Sequence, residues 1–185
     1  MMNMNLERVA TALAGVAILG GIARIGMTPS ALIWGENSVQ ELVFGLIACL
    51  FMGVGIFGVY LYQAHRLGIT GLASVLLLSI SSTLTAALVW STMLGVMAED
   101  QPFVAPLQTI NSTAAMLGTI GFCVQTLRAR ILPAWPVVLF LLFPAIMFIP
   151  ALSNWGAVLW GISYMGLGYY VVGKKSVRHP SVFGM

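Results

Sequence analysis

No charged residue interrupts the chain between Arg130 and Lys174. A single α-helix over that run would reach about 60 Å at about 1.5 Å per residue, twice the roughly 30 Å hydrocarbon core of a bilayer. The run must therefore fold back on itself. Ile149-Pro150-Ala151-Leu152-Ser153-Asn154 is the expected turn, with Pro150 ending one helix and Ser153 or Asn154 capping the next.

The same reading extends to the rest of the chain. Apolar stretches predict spans over about 9–25, 39–62, 69–97, 103–127, 132–149 and 153–172, of the order of the ~20 residues a crossing needs. Only 7% of the 185 residues are charged and 59% are hydrophobic. A soluble domain carries about 25% charged residues, so this chain lacks the polar atoms to cover a water-facing surface. The expected fold is an all-α membrane protein, a single bundle of six transmembrane helices over 1–185 with both termini inside. The first span resembles a leader's apolar region behind Arg8, and we read it as a retained helix. Ser38-Val39-Gln40-Glu41 has the form of a capping box at the start of the second.

The charges support this topology. Arg8, Arg66, Arg128, Arg130, Lys174, Lys175 and Arg178 fall on the inside, and only Arg24 of the eight basic residues falls outside, as the positive-inside rule requires. Glu36, Glu41, Glu99 and Asp100 fall outside and Glu7 inside. Tyr60, Tyr62, Tyr169 and Tyr170 cluster near the inner boundary, with Trp135 on the same side. Trp34, Trp90, Trp155 and Trp160 lie toward the outer half, as in interfacial aromatic belts. The net charge of +3 is that of cytoplasmic loops and implies no nucleic-acid partner.

Short inner loops make helices two and three, and helices four and five, antiparallel neighbours. Gly55-x-x-Gly58 and Gly118-x-x-Gly121 precede the two inner loops, an echo compatible with a repeat or with ordinary close helix contacts. The longest connection, 26–37, is outside. Thr28-Pro29 is expected to start a short surface helix that Gly35 ends, either a lid or an ordinary interfacial loop. Pro133 and Pro136 suit the start of helix five, and Pro144 is expected to kink it mid-span. Ala17-x-x-x-Gly21 is a small-residue pair for packing within the bundle or for dimerisation.

Few groups are able to carry chemistry. No Asp, Glu, Lys or His lies near the middle of a span, which argues against an ion-coupled pump and an intramembrane hydrolase. Cys49 and Cys123 stand alone, with no metal or redox spacing. His65 and His179 lie at the inner surface, so no haem ligation on the spans is expected. No cofactor is implied. Ser74, Ser81, Thr85 and Thr92 share one face of helix three. Helix four carries Gln108, Asn111, Ser112, Thr119, Gln125 and Thr126. These form a polar seam that either lines a cavity or packs the two helices together, and Gln108 and Asn111 must find partners. On the outer face Arg24, Glu36, Glu41, Glu99 and Asp100 form a second cluster, in which Arg24 is expected to pair with a carboxylate. Glu99, Asp100 and Glu36 lack the spacing of a calcium loop.

The stretch Leu127-Arg128-Ala129-Arg130-Ile131-Leu132-Pro133-Ala134-Trp135, followed by an apolar span and a Gly-rich last helix ending in Lys174-Lys175, resembles the LR-x-(x)-x-LP-x-W inner loop of small, uncharacterised bacterial multi-span membrane proteins. Many of those carry Arg at the place of Ala134, so the match is partial. The resemblance implies a bacterial inner-membrane location and supplies no activity. The expected function is non-enzymatic: an accessory or scaffolding subunit of a larger membrane complex, whose partners are the lipid bilayer and other membrane subunits. The competing expectation is a small carrier or binding protein for a lipophilic or neutral solute.

Overall fold

The computed structural model describes residues 2–96, 101–102, 104–147, 149 and 153–173. Among these the chain is all α, with five helices and no strand: α1 Met2–Trp34, α2 Val39–Met93, α3 Val104–Ala129, α4 Ala134–Met147 and α5 Ser153–Gly173. The 55-residue α2 is two rods, because Gly68 has non-helical backbone angles (φ 57°, ψ −154°). A straight helix would hold residues 53 and 82 about 44 Å apart. Instead a methyl built on Gly53 would stand 2.9 Å from Cβ of Ser82, so the 69–93 arm folds back along the 39–67 arm. The described residues thus form six helical rods. Two helices, Leu6–Trp34 and Val39–Met93, are long and apolar enough to cross a membrane by length and composition.

Rods that follow one another in the chain run antiparallel, as do α1 and α5. The 39–67 arm of α2 also meets α5 and α3 in parallel, through Tyr62 with Tyr170 and Gln63 with Thr126. α1 lies against α2 and α5, α2 against α3, α3 against α4 and α4 against α5, which closes a ring. One end of the bundle holds the start of α1, the Gly68 reversal, the α3–α4 turn and the end of α5. Arg8, Arg66, Arg128 and Arg130 all lie at that end and are exposed. Glu36 and Glu41 lie at the opposite end.

α1 is seated by backbone-to-backbone approach. A methyl on Gly21 would come within 2.6 Å of the Gly161 carbonyl of α5. Methyls on Gly55 and Gly58 of α2 would overlap the backbone at Ala17 and Ala14, and those two alanines have no exposed surface. Small residues here let helices meet at their main chains. The pair Ala17 and Gly21 therefore packs inside the bundle. Gly118 plays the matching part in α3, where a methyl would lie 3.0 Å from the Ser74 carbonyl of α2. Both Gly-x-x-Gly pairs thus face the preceding rod.

Several sequence expectations are corrected. The first span was bounded at 25 and a separate surface helix expected at Thr28-Pro29, but α1 continues unbroken to Trp34 with Pro29 inside it. Proline removes one helical N–H, yet its fixed φ of about −65° suits a helix. Ser30 Oγ donates to the Gly26 carbonyl at 2.8 Å beside it. The connection expected over 26–37, whether lid or ordinary loop, is reduced to a tight turn at Gly35–Ser38. Gly35 (φ 92°) follows the end of α1 itself rather than of a separate surface helix. Ser38 caps α2 by accepting from Glu41 N–H. The Glu41 carboxylate reaches Asn37 N–H at 2.7 Å rather than the Ser38 amide, because Asn37 has turned to φ 60°. Pro144 is not mid-span. It lies in the last turn of α4, and that helix of 14 residues rises only about 21 Å. Pro150 and the turn around it lie outside the described residues.

Candidate functional site

Two amide clasps join the 69–93 arm of α2 to α3. Hydroxyls four residues apart lie one turn above each other on a helix, and two such pairs on α2 each receive one amide from α3. Ser81 Oγ donates to Asn111 Oδ1 at 2.7 Å, and Asn111 Nδ2 donates to Thr85 Oγ1 at 3.0 Å. Thr70 Oγ1 donates to Gln125 Oε1 at 3.0 Å, and Gln125 Nε2 donates to Ser74 Oγ at 3.2 Å. The polarity is the same in both: the earlier hydroxyl donates and the later one accepts. Each amide thus finds both a donor and an acceptor in a region where an unpaired polar group would cost free energy. A further buried bond runs from Gln63 Nε2 to Thr126 Oγ1 at 3.1 Å.

These groups satisfy one another, and the seam is a packed contact. Gly118 and Gly121 bring the helices close, with a methyl on Gly121 falling 2.5 Å from Ser74 Oγ. Thr119 is buried, while Thr92 bonds its own helix at the Leu88 carbonyl. Two residues expected in the seam are not in it. Gln108 and Ser112 are exposed on the outward face of α3, together with Thr109 and Thr113, whose hydroxyls bond the carbonyls one turn back. Among the described residues the Gln108 side chain has no hydrogen-bond partner.

The outer cluster is not brought together as expected. Glu99 and Asp100 lie outside the described residues, Glu36 is exposed in the α1–α2 turn, and Glu41 serves the α2 cap. Among the described residues Arg24 pairs with no carboxylate, and no group of three or more His, Cys, Asp or Glu is placed to hold a metal. Because α1 runs on to Trp34, Arg24 stands ten residues, about 15 Å, before the helix end. It therefore sits along the helix, part-buried against α5, and not in an outer loop. Its guanidinium lies 4.2 Å over the Trp160 ring, and Nη1 donates to Met27 Sδ at 3.2 Å. Nε is buried without an acceptor, and so is Trp160 Nε1.

Trp160 was assigned to an interfacial belt. It is instead one rung of an aromatic ladder, stacked on Phe143 at 4.4 Å and edge-on to Tyr164, which meets Phe140 and, through it, Phe122. Trp34, Trp90, Trp135 and Trp155 are exposed. Three polar side chains escaped sequence reading. Gln63 is fully buried and its Oε1 has no partner. Thr70 sits one turn before Ser74. Ser163 donates to the Pro136 carbonyl at 2.7 Å. A lone amide in the apolar run Val59–Ala64 was the available signal for Gln63. Cys49 and Cys123 are free and buried, and His65 is exposed. Searches of protein-family models, curated proteins and solved structures find no match to this chain.

Proposed function

We propose that the chain is an integral protein of the bacterial inner membrane with six transmembrane helices and cytoplasmic termini, and that it acts without chemistry of its own as an accessory or scaffolding subunit of a membrane complex. The observation that carries the subunit reading is the outward strip of α3 formed by Ala105, Gln108, Thr109, Ser112 and Thr113, all exposed. Small residues favour close helix contact in lipid, and an amide there needs a partner. Gln108 is the group such a partner helix would satisfy.

The membrane reading has its own support. Every helix turns large apolar side chains outward, among them Ile22, Leu50, Ile80, Leu117, Leu142 and Ile162, whereas a water-soluble monomer seldom exposes large apolar patches. Each arm of α2 is long enough to span about 30 Å, and four exposed arginines gather at the end assigned to the cytoplasm.

The test is purification in mild detergent or nanodiscs followed by native mass spectrometry. Fixed-stoichiometry association with other membrane proteins, lost in Gln108→Leu, is the expected result. A lone monomer or homodimer would sink the subunit reading. The carrier alternative draws support from one observation, the unpaired donors around Arg24.

A further inference from the structure

Arg24 is a charged group part-buried between α1 and α5, and among the described residues its surroundings offer no oxygen acceptor to match it. One face of the guanidinium is covered by Trp160 at 4.2 Å. Among the described residues its only hydrogen-bond acceptor is the Met27 sulfur, and a thioether is a weak one. This leaves the edge made by Nε and the other terminal nitrogen, two parallel N–H groups of the spacing that grips two oxygens side by side. Among the described residues Nε on that edge is buried and unpartnered, and so is the indole N–H of Trp160, whose ring the guanidinium covers. Both orphan groups are donors, so a cation or a neutral hydrocarbon would leave them unmatched. An oxyanion answers both and neutralises the charge. The aromatic rings of Trp160, Phe143 and Tyr164 alongside add an apolar wall suited to an acyl chain.

We infer that Arg24 and Trp160 form a binding site, between α1 and α5, for an oxyanion carried on an acyl chain: a fatty-acid carboxylate or the phosphodiester of an anionic lipid. The carboxylate or phosphodiester lies on the Nε edge of Arg24 and accepts from Trp160 Nε1, while the chain runs along the aromatic rungs. The site is a property of the isolated chain and does not depend on its having partner subunits.

The test reads Trp160 directly. Trp34, Trp90, Trp135 and Trp155 are replaced by Phe, and the protein is placed in phosphatidylcholine nanodiscs. Dibrominated stearate, the matching dibrominated alcohol and dibrominated phosphatidylglycerol are titrated separately as quenchers. Saturable quenching by stearate or by phosphatidylglycerol, but not by the alcohol, is the expected result, and the stronger of the two names the source of the anion. Arg24→Gln should weaken it about tenfold or more, the loss expected for a charge-assisted pair. Arg24→Lys keeps the charge but not the fork, and should fall between; it serves if the Gln variant does not fold. Equal quenching by the alcohol, or unchanged affinity in both Arg24 variants, would overturn the site. Displacement of stearate by acetate or inorganic phosphate at equal concentration would overturn the part played by the acyl chain.

Discussion

The two sides of the bundle are held by different physics. Around α1 the contacts are dry and steric: Gly21 faces Gly161, and Gly55 and Gly58 face Ala17 and Ala14. Between the 69–93 arm and α3 the helices are clasped by Asn111 and Gln125 across pairs of hydroxyls. A steric seam tolerates no added atom, because main chain cannot rotate out of the way. A polar clasp tolerates added bulk poorly but fails mainly by leaving a polar group unmatched, and such bonds between helices are individually modest. The α1 side should therefore be brittle and the α3 side graded.

That contrast is open to attack at four points. Gly58→Leu should have the largest effect, a loss at or above the top of the ~1–3 kcal/mol range of overpacking, seen as a collapsed monodisperse peak in detergent chromatography after mild heating. Gly68→Ala comes next, at about 1–3 kcal/mol, because its φ and ψ belong to a region almost reserved for glycine; a lowered melting temperature checks it. Asn111→Leu should cost about 1–2 kcal/mol, and adding Ser81→Ala and Thr85→Ala should recover part of that loss by removing the orphaned hydroxyls. If the triple variant is as unstable as the sum of its parts, the clasp is not a unit. Gln108→Leu should leave the melting temperature of the isolated chain unchanged to within about 0.5 kcal/mol, since it touches nothing within the described bundle. A large loss there would show the strip to be structural.

Much of the helical layout was legible from where charges and prolines fall. The start of α2 at Val39 is legible because Ser38 and Glu41 carry a local capping signal. Arg24 was misread for a physical reason. Thr28-Pro29 has the local chemistry of a helix start, yet a helix already packed on α2 and α5 absorbs one missing N–H and runs on. Tertiary contact thus moved a charge from the expected rim to a part-buried place against α5. The seam residues were assignable to facing helices from spacing alone. Which of them face inward was not, because Gln108 and Asn111 are three residues apart and differ by only a fraction of a turn. Trp160 was similarly ambiguous, since an indole suits an interface as well as a cation.

Gly68 joins two rods with no loop residues between them, and that absence acts as a lock on angular phase. Each residue added to a helix turns everything beyond it by about 100°. One alanine inserted after Gly68 would swing Thr70, Ser74, Ser81 and Thr85 together away from α3, undoing both clasps at once while altering no residue that makes them. A hairpin with a long loop would take up such an insertion as slack. Here the reversal itself is the index mark from which the orientation of the whole second arm is counted.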